Sequence, residues 1–272
     1  MLSEVIKYSY SRLDSFHNCK RSYYYTYGLG ERGGENIYSF LGTVCHELTQ
    51  GIIEEKETNE SAVKKFKQAL EDTEMLGLEW ISDKVKTNYD ECITHFLENF
   101  LPTKADDIKI EEYFEVEIEG AIVRGYIDLC YILNGELHII DLKTSSKFAK
   151  KDMVKKQRQL SLYAYALQDK YPNMKIKLYF NMLKYAFQGK KLVERNNLSI
   201  FEDYVEGMVE VIYNEDLVRD LKEYVKKTVD EIEELDIIDI DNWGMGYKPS
   251  YDFFCNKLCS YQTRCLEFTI KL

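Results

Sequence analysis

At 272 residues, with 45% hydrophobic and 31% charged side chains, the chain has the makings of a sizeable core and reads as a globular protein. Three prolines and 14 glycines leave little room for linkers, no run reaches the roughly 18 apolar residues of a membrane span, and MLSEVIKYSY lacks the apolar centre of a secretion signal, so a cytoplasmic location is expected. The net charge of −11 speaks mildly against a nucleic-acid partner, but an enzyme that binds divalent cations needs acids at its centre and can keep its bases local.

In chain order, KYSYSRLDSFHNCKRSYYYTYG (7–28) is aromatic and basic and predicts a short helix after Ser9 or Ser11. Leu41, Val44, Cys45, Leu48 and Ile52 recur at helical spacing, so a helix is expected from Tyr38 to about Glu57. One or two more helices are expected over 61–100. Residues 110–118 alternate as a strand, Glu119-Gly120 turns the chain into AIVRGYIDLCYIL, and Asn134-Gly135 turns it again into ELHIIDLKTS. A lysine-rich loop precedes a helix in KKQRQLSLYAYALQDKYP, stopped by Pro172, and KIKLYFNMLKYAF returns as a strand. Residues 200–235 read as one long amphipathic helix, and the last thirty residues return to aromatics and cysteines. The expected class is α/β, a mixed sheet flanked by helices.

Asp128 and Asp141 lie inside apolar strands, where an ionised carboxylate needs a partner. Asn-Gly between alternating runs predicts a two-residue type I′ hairpin in which opposite residues sum to 269. Asp128 then faces Asp141, Tyr131 faces His138, and Lys143 projects from the same face as both acids. Two carboxylates so placed repel unless a proton or cation lies between them, and hard oxygen ligands suit Mg²⁺ or Mn²⁺. The bland alternative is a buried salt bridge from Asp128 to Arg124 or Lys143, with Asp141 capping a turn.

Seven cysteines in such a protein are not expected to form disulfides. Cys255, Cys259 and Cys265 cluster within eleven residues and point to a metal or cluster site, whereas Cys45, Cys92 and Cys130 fit small core positions.

An acid, then about a dozen residues, then Asp-x-Lys on the paired strand resembles the PD-(D/E)xK nuclease superfamily, with its restriction-endonuclease-like core. Three further pieces resemble its RecB-like exonuclease branch, which includes the AddB nuclease domain and CRISPR-associated exonucleases. They are Gly42-Thr43-Val44-Cys45-His46, Gln159-Leu160-Ser161-Leu162-Tyr163, and SRLDSFHNCKRSYYY from Ser11.

The resemblance implies a metal-dependent DNA exonuclease holding Mg²⁺ or Mn²⁺ on His46, Asp128, Asp141 and the carbonyl after Asp141, with Lys143 on the attacking water and Gln159 and Tyr163 positioning the strand. It implies a [4Fe-4S] cluster on Cys19, Cys255, Cys259 and Cys265, a Cys₄ zinc site being the alternative. CNKLCSYQTRC departs from the branch in its first gap, and Lys20 stands where a proline is usual. A further upstream acid falls on Glu115 or Glu117.

The expected substrate is single-stranded DNA ends, in recombination, repair, phage or CRISPR processing. No GxxxxGK[ST] loop is present, so unwinding would fall to a helicase or recombination partner. Lys147, Lys150, Lys151, Lys155, Lys156 and Arg158 form the most basic tract and a candidate DNA-binding rim. The tyrosines at 23, 24, 25 and 27 suit packing round the cluster. One nuclease domain is expected over 1–272: 1–36 and 245–272 joined by the cysteines, 37–105 helical, 106–200 the core and 201–244 the long helix. The rival class is a DNA-binding scaffold with a vestigial site, and RNA is the rival substrate.

Overall fold

Glu119-Gly120 and Asn134-Gly135 both take left-handed backbone, with φ of 51° and 84° and of 53° and 77°. That is the signature of the type I′ turn, whose twist matches that of the strands it joins. The two turns connect β2 (Asp106–Ile118), β3 (Ala121–Leu133) and β4 (Glu136–Lys143) as a meander. The β3–β4 register runs from Leu133 opposite Glu136 to Leu129 opposite Ile140, as the Asn-Gly turn predicts.

The structure, a computed structural model, describes residues 6–149, 152–235, 240–246 and 252–270. It divides into two compact units, one formed by Met1–Asn36, Phe114–Gly125 and Val218–Leu272, the other by Ile37–Tyr113 and Tyr126–Leu217.

In the second unit, α3 (Ile37–Ile53), α4 (Asn59–Met75) and α5 (Asp83–Asn99) cover one face of the sheet. Thr58 and Ser82 cap α4 and α5, their hydroxyls accepting the Ser61 and Val85 N–H groups. Leu41, Cys45, Leu48, Phe66, Ile93 and Phe96 meet Leu129, Ile140 and Leu142 in one buried cluster. The helix expected from Tyr38 to Glu57 ends earlier, at Ile53. On the other side, α6 (Met153–Leu167) carries the chain from β4 to β5 (Lys175–Gln188). Such a crossover is what a parallel pair requires, and β4 and β5 are parallel, with Asp141 beside Phe180 and Lys143 beside Met182.

β6 (Lys191–Glu194) and β7 (Val205–Val211) both pair antiparallel with β5. Residues 200–235, expected as one helix, therefore divide into the strand β7 and a helix, α7 (Glu215–Glu233). VEGMVEV alternates with period two, and this short signal was submerged in the longer amphipathic pattern. The β5–β7 register shifts between Asn181 and Ala186. There Gly207 is obligatory, because a methyl group on it would stand 2.5 Å from the Tyr185 carbonyl oxygen.

In the first unit, β1 (Lys7–Tyr8) lies parallel to β3 at Ile122 and Val123. Ser9 caps α1 (Tyr10–Asn18), and α2 (Lys20–Tyr23) runs into a wide helical turn, Tyr24–Gly28. Tyr23 stacks on Trp243 and Tyr25 packs on Tyr261 of the loop before α8 (Gln262–Ile270), so these tyrosines pack rather than present free faces. Arg21, 3% exposed, donates Nε–H to the Trp243 carbonyl, and His17 bonds Thr228 of α7. The strand order is β1-β3-β4-β5-β6, with β2 on β3 and β7 on β5: a mixed α/β fold.

Candidate active site

The paired ladder ends one position short of the acids, at Leu129 opposite Ile140. The Leu142 N–H donates to Asp128 Oδ2 at 2.7 Å, which fixes that carboxylate beside the strand carrying Asp141 and Lys143. Asp141 is 1% exposed, and its Oδ2 lies 2.6 Å from Lys143 Nζ, an ion pair rather than a well-angled hydrogen bond. Lys143 also donates to Gln159 Oε1 at 3.1 Å, and Gln159 Nε2 donates to the Tyr163 hydroxyl at 2.8 Å. Gln159 and Tyr163 are one turn apart on α6, so a single helical face serves both. Burial, with the Asp141 and Asp128 charges, holds the Tyr163 phenol well above its ordinary pKa, so it stays protonated.

His46 enters from α3. Its Nε2 lies 3.0 Å from the Leu142 carbonyl oxygen, which can only accept, so Nε2 carries the proton and Nδ1 is left with its lone pair. Nδ1 stands 3.7 Å from Asp128 Oδ2. Burial lowers the histidine's pKa and keeps the ring neutral. Gly42, one turn earlier, faces Thr144 so closely that an added methyl would already touch its hydroxyl, at 3.4 Å. The carbonyl expected to face a metal, that of Leu142, is here taken by His46.

The acid missed in the sequence is Glu111. One ligand atom from each of His46, Glu111 and Asp128 lies within 4.8 Å of the others. Glu111 holds a left-handed φ of 50° in mid-strand, uncommon for a residue with a side chain and a form of strain that gathers at functional sites. The expected upstream acids lie elsewhere: Glu115 pairs with Lys7, and Glu117 is exposed.

Burial, and then the Asp141 charge, push Asp128 up to about 8. A neutral imidazole lone pair and crowded carboxylates have one common remedy, a hard cation, so these donors fit a divalent metal. Asp141, also expected as a ligand, pairs with Lys143 beside this group.

Of the basic tract, Lys147 is exposed in the loop before α6, while Lys155, Lys156 and Arg158 occupy its first turns, next to Gln159. Lys150 and Lys151 lie outside the described residues. In this unit Cys45, Cys92 and Cys130 are core residues, burial pushing the Cys45 thiol up to about 12.

The other four cysteines gather in the first unit. Cys19 sits between α1 and α2, Cys255 lies within a wide helical turn (Phe254–Leu258) that Cys259 ends, and Cys265 lies on α8. Burial raises the Cys255 and Cys265 thiols to about 11, and the charges of Cys19 and Cys259 add to the rise at both. The Gly246 N–H points to Cys19 Sγ at 3.4 Å, and a methyl at Gly246 would collide with the Asn18 carbonyl, so only glycine brings that amide to the sulfur. Thiols that raise one another's pKa in this way are costly to ionise together.

A stretch of 38 residues is 50% identical to the Gene 69 protein of Mycobacterium phage D29, spanning 14% of each chain. A "putative exonuclease" from Eubacterium rectale aligns with 86% of this chain and 80% of its own, at 13% identity and a TM-score of 0.45. SSO0001 aligns with 93% of this chain and 95% of its own, at 16% identity and a TM-score of 0.29. The family model of the PD-(D/E)XK nuclease superfamily matches residues 7–266, from β1 to the end of the cysteine segment. A match over almost the whole length settles the family: the chain belongs to the PD-(D/E)XK nuclease superfamily.

Proposed function

We propose that the protein is a divalent-metal-dependent DNA exonuclease of the RecB-like branch, acting over 1–272 as one nuclease on single-stranded ends. The observation that carries this reading is the Asp128–Leu142 hydrogen bond, which sets His46, Glu111 and Asp128 beside the Asp141–Lys143 pair. His46, Glu111 and Asp128, with Asp141 alongside, would hold Mg²⁺ or Mn²⁺, which when bound polarises the phosphodiester and stabilises the leaving oxygen.

Lys143 orients the attacking water, and Asp141 beside it is placed to take the water's proton. Water adds to phosphorus as the P–O3′ bond breaks, leaving a 5′-phosphate and a 3′-hydroxyl. Gln159 fixes Lys143, Tyr163 fixes Gln159, and Lys147, Lys155, Lys156 and Arg158 form a rim for the DNA backbone. The four cysteines would hold a [4Fe-4S] cluster joining residues near the two ends of the chain, a structural role. A helicase or recombination partner would supply unwound ends.

End-labelled single-stranded DNA incubated with Mn²⁺ tests the reading. Wild type should shorten it, while Asp141→Ala and Lys143→Ala bind without cutting; equal behaviour of all three would favour a binding scaffold. RNA of the same sequence separates the two substrates. Anaerobically purified protein should be brown and lose its colour in Cys259→Ser; colourless protein with one zinc per chain would replace the cluster by zinc.

A further inference from the structure

Two exposed aromatic rings stand beside the candidate metal group. Tyr113 and Tyr126 are 48% and 56% exposed, and their ring centroids lie 5.4 Å apart at an interplanar angle of 59°. Tyr126 is two residues before Asp128 on β3, so it projects from the same face. Tyr113 is two residues after Glu111 on the antiparallel partner β2. Two strand residues span roughly 7 Å. The tyrosine pair thus sits about one nucleotide step along the same strands from Glu111 and Asp128.

We infer that Tyr126 and Tyr113 form a stacking seat for the unpaired nucleobase next to the scissile phosphate, and that this seat gives the enzyme its preference for single strands. The occupant follows from position and chemistry. A phosphodiester held at the metal group carries its neighbouring base about one repeat away, and a base offers a flat π face to an exposed ring. Inside a duplex both faces of that base are covered by its neighbours. The tilt between the rings leaves one face to stack on and one edge to bound the seat. Stacking of this kind tolerates any base, so it selects strandedness without selecting sequence. The inference rests on the nuclease reading of the same site.

The test uses single-stranded oligonucleotides carrying 2-aminopurine, whose emission falls on stacking, at each position near the cut. Binding is read with Mn²⁺ in an Asp141→Asn/Lys143→Met background, and cleavage in the otherwise wild-type protein. One position should be quenched on binding. Tyr126→Ala should abolish that quenching and weaken binding and raise KM by about 5- to 150-fold. Tyr126→Phe should retain both. An abasic residue at the quenched position should cost wild type the same factor and Tyr126→Ala nothing more. Melting temperature and Mn²⁺ affinity should stay unchanged in Tyr126→Ala, since the ring is mostly exposed.

The inference is overturned if Tyr113→Ala/Tyr126→Ala binds and cuts single strands as wild type does, or if no position is quenched. Tyr126-dependent quenching of DNA that is never cut would uphold the seat while removing the nuclease reading.

Discussion

The backbone of Leu142 serves His46 and the site at once: its carbonyl accepts the imidazole Nε2 proton at 3.0 Å while its amide donates to Asp128 at 2.7 Å. One residue of β4 therefore sets the tautomer of a candidate ligand and the position of another. His46→Ala should lower Mn²⁺ affinity by at least about tenfold, by analogy with the cost of disturbing groups that orient metal ligands. Titration calorimetry reads this directly, and an unchanged affinity would remove His46 from the ligand set.

Lys143 has a structural duty as well as a chemical one. Asp141 is 1% exposed and its near neighbour is the Lys143 ammonium. Removing one partner of such a pair costs about 3–5 kcal/mol. Lys143→Met should therefore lower the melting temperature of the metal-free protein and cut turnover by about 10²-fold or more. Asp141→Asn/Lys143→Met should recover stability without activity. A stable Lys143→Met single variant would show the pair to be dispensable to the fold.

Asp128 predicts a slope of stability with pH. Its pKa rises from the ordinary 3.8 to about 8, so between those values the native state holds a proton that the unfolded chain releases. Stability of the metal-free protein should fall as pH rises through this window. With EDTA, melting temperatures from pH 5 to 9 should decline in wild type and flatten in Asp128→Asn. Saturating Mn²⁺ takes the proton's place and should flatten the wild-type curve too. Superimposable wild-type and Asp128→Asn profiles would assign the slope to other groups.

The turn at Asn134-Gly135 carries the register, with Gly135 at φ 77°. Gly135→Ala should cost about 1–2 kcal/mol in urea unfolding, the usual charge for a left-handed residue with a Cβ. Mn²⁺ affinity should change little, because the ladder from Leu133 to Leu129 holds the register without help.

The hairpin was legible because turn chemistry and period-two alternation act locally, and both survive in the fold. Gln159 and Tyr163 were legible for a similar reason, since a four-residue spacing defines a helical face. Glu111 was not. Its reach to His46 depends on a left-handed residue in the middle of β2, and a glutamate announces no such backbone state. Glu115 and Glu117 looked equally suitable in the alternation, and only the structure gives Glu115 to Lys7. β7 was hidden by the acidic run that follows it, and the bulge on β5 that accommodates Gly207 has no pattern of its own in the sequence.

The first unit is sewn from opposite ends of the chain: Arg21 to Trp243, Lys20 to Glu231, Ser260 to Gly34 and Tyr261 to Glu31. Every one of these links spans more than 200 positions, so none can form until the partners from Glu231 to Tyr261 have been synthesised. Leu13, Phe16 and Tyr23, buried in the folded unit, are made long before the segment that covers them. Residues 7–28 are thus open to aggregation for as long as the segment from Glu231 to Tyr261 is unmade, and a chain cut short before that segment would leave them bare.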